Sequence, residues 1–120
     1  MAYRSFEELD VWKRACRLAV DVYNVFKDCR DFGLKDQINR AAISIPSNIA
    51  EGFERDSIKE LIHFLHIAKG SVAELRTQLY ISEKIGIFDQ KISRPLLQEP
   101  KEISSMLQGL IKSQKPKLNT

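Results

Sequence analysis

Apolar residues recur at helical spacing in four stretches separated by short polar or glycine-bearing breaks. That pattern predicts four helices, at about 8–28, 34–51, 58–85 and 90–112. In the first, Leu9, Trp12, Cys16, Ala19, Tyr23 and Phe26 form one seam, and Val11, Ala15, Leu18, Val22 and Val25 form a second, offset seam. At about 100° per residue the two seams cover an arc of roughly 220°. A helix of a four-helix bundle needs only a face of ~3/7 of its positions. The surplus calls for a cover, either a neighbouring subunit or a central place within the bundle itself.

Arg30-Asp31-Phe32-Gly33 reads as the first turn, with Gly33 free to take a positive φ. In the second stretch Ile38, Ala41, Ala42, Ile45 and Ile49 share one arc, and Arg40, Ser44, Ser47 and Glu51 form a polar stripe. Pro46 removes the backbone bond to Ala42, which predicts a kink near Ala42 to Ile45. Ser44 and Ser47 are placed to satisfy the freed groups. Gly52 suits the position just past the helix end.

Ser57 and Glu60 have the spacing of a capping box. The seam that follows, Ile58, Leu61, Leu65, Ala68, Val72, Leu75 and Leu79, predicts the longest helix. Gly86 fits its stop, with Ile87 placed to pack on Ile81. Gly70, Ser71 and Ala73 offer a flat patch where the second helix is expected to come close. Asp89 can cap a fourth helix whose stronger half is Ile103, Met106, Leu107, Leu110 and Ile111. Pro95 and Pro100 predict a kink near Pro100 or a start delayed to Lys101. Residues 113–120 are expected to fray. Short connections make successive helices antiparallel neighbours, so the expectation is one all-α domain, an up-down-up-down antiparallel four-helix bundle over 1–120.

Composition narrows the function classes. A chain of 120 residues with 43% hydrophobic content fits a single globular core. Its net charge of +3 is too small to imply nucleic-acid binding by one copy on charge alone. Cys16 and Cys29 fall on the same predicted helix, roughly 20 Å apart, too far for a disulfide, and read as buried free thiols of a reducing compartment. The first residues lack the apolar run of a secretory signal, and no stretch reaches membrane-spanning length. The expectation is a cytoplasmic protein with no membrane association.

Catalytic chemistry is hard to assemble from these residues. Glu60 and His63 have Glu-x-x-His spacing, but the di-iron arrangement needs a second such motif. His63 and His66 share a face without a third ligand. No glycine-rich phosphate loop is present, and Cys16 sits on an apolar seam. No catalytic residue, metal or cofactor is expected. The remaining polar constellation is Arg40, Ser44, Ser47, Asn48 and Glu51, with Glu74 on the third helix. Arg40 and Glu51 are about 16 Å apart along a helix and each needs another partner. For Arg40 that partner is a carboxylate such as Glu74, one from a neighbouring subunit, or a phosphate.

Asn39-Arg40-Ala41-Ala42, Ser44-Ile45-Pro46-Ser47-Asn48-Ile49-Ala50-Glu51-Gly52-Phe53 and Ala68-Lys69-Gly70-Ser71-Val72-Ala73-Glu74-Leu75 resemble the four-helix-bundle family of 23S rRNA intervening-sequence proteins. The resemblance runs from about Phe6 to Lys112 and departs from the family at Asn39, where an arginine is usual, and at Pro95 and Pro100. It implies a bundle assembling as a ring of five, in which five times +3 gives +15. A related branch, the accessory proteins of diversity-generating retroelements, pairs a basic pentamer with a reverse transcriptase and nucleic acid.

Two functions follow as expectations. One is a non-catalytic homo-oligomer, a pentamer by the resemblance, that binds RNA or DNA phosphates through Lys13, Arg14, Arg17, Arg40, Arg55 and Lys69. The other is an oligomeric scaffold that docks a protein such as a reverse transcriptase without touching nucleic acid. In both, Trp12, Pro46, Asn48, Glu51, Gly52, Gly70 and Glu74 are the expected structural or interface residues.

Overall fold

Helix starts are set by side chains that satisfy the free N–H groups of a first turn. In a computed structural model describing residues 5–119, Asp31 accepts from the Leu34 amide, Ser57 from the Glu60 amide and Asp89 from the Lys91 amide. These caps open α2 (Phe32–Phe53), α3 (Ile58–Lys84) and α4 (Gln90–Gln114), while α1 (Asp10–Phe26) follows a 3-10 helix at Phe6–Glu8. That short helix carries a reciprocal capping box of Ser5 and Glu8. The Ser-Phe-Glu-Glu spacing carries this signal, whereas the apolar pattern alone predicts a first helix only from about residue 8. At Ser57 the expected box is only half made, since Glu60 takes a bond from the Ser57 hydroxyl.

The described residues form an all-α four-helix structure without strands. α1 packs on α2 and α4, and α3 packs on α2 and α4. Ser44 meets Ser71 while Gly52 faces Leu61 and Phe64. Ser93 meets Glu83 while Lys69 meets Gln108. Position rises along one helix as it falls along the other in both pairs. The core joins Val11, Ala15, Leu18, Val22 and Phe26 of α1 to the aliphatic seams of the other three helices.

Several expectations require correction. Gly33 lies inside α2 and has no positive φ, because Asp31 starts the helix before it. Gly52 does not stop α2, which runs on to Phe53. Its role is steric, since a Cβ there would lie 3.0 Å from Phe64 Cβ and 3.3 Å from the Leu61 carbonyl oxygen. Gly70 is the reverse case. It is exposed with nothing within 4 Å, and Ser71 beside it is the residue that meets α2.

Neither proline of α4 delays the helix, which starts at Gln90 and carries Pro95 and a buried Pro100 within it. The Ser93 hydroxyl donates to Glu83 of α3 and Arg94 forms an ion pair with the same carboxylate, so tertiary contacts hold the half that propensity disfavours. Past α4, Lys115–Asn119 forms a 3-10 helix against α3 and Gln114 is buried, where fraying was expected. Residues 1–4 and Thr120 of the expected domain lie outside the described residues. At Gly86, φ is +82°, and the amides of Ile87 and Gly86 donate to the carbonyls of Ser82 and Glu83. This is the Schellman pattern expected there.

Candidate nucleic-acid interface

Basic residues become phosphate ligands only where the fold leaves them without carboxylates. Arg14 fails that condition. Its Nε donates to Glu99 Oε2 at 2.8 Å, one terminal nitrogen donates to Glu99 Oε1 at 2.6 Å, and the same nitrogen reaches Glu102 at 3.0 Å. The bond from Glu99 pushes the guanidinium pKa further up, and in return Arg14 holds the Glu99 carboxyl below the usual carboxylate range. Arg17 adds its field to Glu99 and shares a cleft with that residue and Asp21. Neither Lys13 nor Arg17 makes a hydrogen bond or ion pair to a carboxylate among the described residues.

The other expected ligands divide. Arg55 pairs with Glu51 at 2.5 Å and lies over the Phe64 ring at 4.8 Å, which also gives Glu51 its partner. Lys69 donates to the neutral Gln108 of α4 at 2.6 Å and keeps its charge available. Arg40 and Glu74 line one cleft of about 270 Å³ between α2 and α3. They form no ion pair among the described residues.

α3 and α4 carry what α1 lacks. Lys69 and Glu83 mark the flank of α3 that meets α4. At about 100° per residue, Lys59, Lys69, Arg76 and Lys84 fall within an arc of roughly 100° running outward from that flank. On α4, Arg94, Lys101 and Lys112 fall within roughly 40° around the flank marked by Gln108 and Arg94. The two arcs adjoin. Of the acids on these helices only Glu83 shares the surface, and it is already engaged by Ser93 and Arg94. Glu60 and Glu74 lie on the other flank of α3, while Glu99 and Glu102 face Arg14. Burial leaves the Arg76 Nε without a hydrogen-bond partner, although the residue is only partly covered.

On the diagonally opposite helix, α2, both flanks are open. Towards α1, Val20, Tyr23, Phe32 and Ile43 are 58, 55, 68 and 56% exposed, and the buried Asn39 Oδ1 has no partner. Towards α3 lies the Arg40–Glu74 cleft, whose Gln78 Oε1 is also buried and unpartnered. Between these flanks Asn48 Nδ2 donates to the carbonyl and the hydroxyl of Ser44, both at 2.8 Å, and the Ser44 hydroxyl bonds that of Ser71 at 2.8 Å. This network ties the turn around Pro46 to α3.

Residues 7–109 match the family described as 23S rRNA-intervening sequence protein, which is most of the chain and includes the Ser44–Gly52 run at the centre of this network. The chain belongs to this family. Among solved structures it is similar to a protein of unknown function from the S23 ribosomal protein family of Bacteroides thetaiotaomicron, at 24% identity and a TM-score of 0.80. The likeness covers 85% of this chain and 98% of that one and concerns the fold. No curated protein matches the chain.

As a member of the intervening-sequence family, the chain displays no grouping of three or more His, Cys, Asp or Glu suited to a metal among its described residues. His63 and His66 are both exposed, and His63 stands edge-on to Phe64. Cys16 and Cys29 are free and partly covered, and burial pushes the Cys16 thiol up, towards its unreactive form. No helix among the described residues is long and apolar enough to cross a membrane. Of the cations on this α3–α4 surface, Lys69 is among the sequence-derived candidates, and Lys59, Arg76, Lys84, Arg94, Lys101 and Lys112 are not. Each helix showed its charges, but nothing in one helix says which arc the next will adjoin.

Proposed function

We propose that this intervening-sequence family member is a non-catalytic, self-assembling protein that binds RNA or DNA phosphates through the basic face of α3 and α4. The observation that carries the reading is the segregation of charge, with six cationic side chains on one outward surface and a seventh, Arg94, paired with Glu83, the one acid of α3 and α4 that shares it. Lys59, Lys84, Lys101 and Lys112 are exposed on that surface. Repetition of this face by assembly multiplies its field, and a partner already bearing many phosphates is the natural counter-charge.

Self-assembly is assigned to the α2 side. Val20 and Tyr23 of α1 and Phe32 and Ile43 of α2 leave large apolar side chains exposed to water, and the orphaned Asn39 and Gln78 oxygens are groups that a neighbouring copy can satisfy. In a pentameric ring of the kind the family resemblance implies, contacts made through this side would leave the basic face free. The same exposed apolar side chains favour the second reading, a scaffold that docks a protein such as a reverse transcriptase.

The test is binding of the nuclease-treated protein to structured RNA and duplex DNA across a salt series. A log–log slope of several units for both polymers is expected. No binding at low salt would leave the scaffold reading. Light scattering of wild type and of Tyr23→Glu/Ile43→Glu checks the assembly side, with loss of the larger species expected in the variant.

A further inference from the structure

We infer that the nucleic acid held by this face is a duplex, laid along the cations of α3 and α4 so that they meet phosphates on one side of it over about one turn, an inference that rests on the reading above. One row is Lys59 and Lys84 of α3, with Lys69 and Arg76 leaning towards the helix–helix seam. The other is Arg94, Lys101 and Lys112 of α4.

The α3 row has the length of a helical turn, and the α4 row, Arg94 to Lys112, is shorter at about 27 Å. Lys59 and Lys84 are about 37 Å apart at about 1.5 Å per residue, close to the roughly 34 Å turn of duplex DNA. Adjacent helix axes lie roughly 8–10 Å apart. Members of the two rows also sit level with each other. The Glu83–Ser93 and Lys69–Gln108 contacts fix the α3–α4 register. In that register Arg76 stands opposite Lys101 and Lys84 opposite Arg94. Cations at matched heights on two adjoining helices give the face width as well as length.

The surface offers little to a single strand. Single-strand recognition relies on aromatic platforms for unstacked bases. Here Tyr80 is 36% exposed, and the Arg94 guanidinium lies over its ring at 5.7 Å. No other Tyr, Phe or Trp lies on either row. The helices are continuous along the face, which leaves no loop between the rows into which a base can be turned.

The experiment uses the full chain, nuclease-treated, with a 24-base-pair RNA duplex, the same duplex as DNA, and an unstructured single strand of equal length, each across a salt series. Both duplexes are expected to bind at least tenfold more tightly than the single strand. Lys59→Gln/Lys84→Gln and Lys101→Gln/Lys112→Gln remove two exposed cations from one row each. Each double variant is expected to weaken duplex binding at least tenfold and to lower the salt slope by about two, at roughly 0.9 per phosphate contact. Thermal melting verifies that both variants remain folded. Equal affinity for duplex and single strand would overturn the duplex inference and leave phosphate binding by this face intact. A duplex that responds to loss of one row only would overturn the assignment of both helices to the contact. Failure to bind any polymer would remove the underlying reading as well. If the RNA and DNA arms differ, the tighter one identifies the duplex form.

Discussion

Arg14 and Glu99 meet through two parallel hydrogen bonds, of 2.8 and 2.6 Å, that join the first half of α1 to the middle of α4. The forked guanidinium matches both carboxylate oxygens, so the pair fixes orientation as well as charge. Both side chains are about 30% exposed, at 32 and 28%, which limits its strength. Glu99→Gln is expected to lower stability by about 1 kcal/mol, read by urea unfolding at fixed protein concentration. Nucleic-acid affinity should change less than twofold, because Arg14 is committed to packing. A large change in affinity would return Arg14 to the list of phosphate ligands.

The same pair predicts an acid response. Hydrogen bonding from Arg14 foremost lowers the Glu99 pKa, and hydrogen bonding from the Ser93 hydroxyl foremost lowers that of Glu83. A carboxylate held down in the folded state stabilises fully above its unfolded value, roughly 4.3, and loses that contribution as pH falls through the lower folded value. The urea midpoint of wild type should therefore drop steeply below about pH 4. Glu99→Gln should show a shallower drop, and equal slopes would contradict the assignment.

Three glycines should respond differently to alanine. Gly52→Ala places a Cβ 3.0 Å from Phe64 Cβ and 3.3 Å from the Leu61 carbonyl, so α2 and α3 must separate, at a cost of about 1–3 kcal/mol. Gly86→Ala strains a residue at φ +82°, at about 1 kcal/mol. Gly70→Ala sits mid-helix in open space and should raise stability by about 0.5–1 kcal/mol. Thermal or urea unfolding of the three variants orders them.

Ser44 and Ser71 supply a double-mutant cycle. Their hydroxyls lie 2.8 Å apart, and Ser71 is 5% exposed. Ser44→Ala strands the Ser71 hydroxyl and one bond of Asn48, at about 1–2 kcal/mol. The double variant should cost less than the sum of the singles, with a coupling of about 0.5–1 kcal/mol, measured by urea unfolding. Strict additivity would mean that the contact carries no energy.

Where the signal was local, the sequence was easily read. Asp89, Ser57 and the Gly86–Ile87 pair announced helix ends because caps and Schellman turns are made within a few residues. Gly33 and Gly52 were misread for the same reason. Each has the residue type of a turn, but Asp31 captures one into a helix and the approach of Phe64 explains the other. α4 was doubted at Pro95 and Pro100 because Glu83, which anchors its first half, lies ten or more positions away on another helix.

The sequence by itself determined four amphipathic helices, their order and the family, since helical periodicity and a long contiguous motif are properties of neighbours along the chain. Only the tertiary structure decided which charges lie together. Lys13, Arg14 and Arg17 form the densest run of cations on a helix, but packing α4 beside α1 sets Glu99 against two of them. The cations of α3 and α4 are spread thinly along each helix and become one surface only because those helices adjoin with their acids turned elsewhere. Electrostatic potential sums over space, and the fold sets the distances over which it sums.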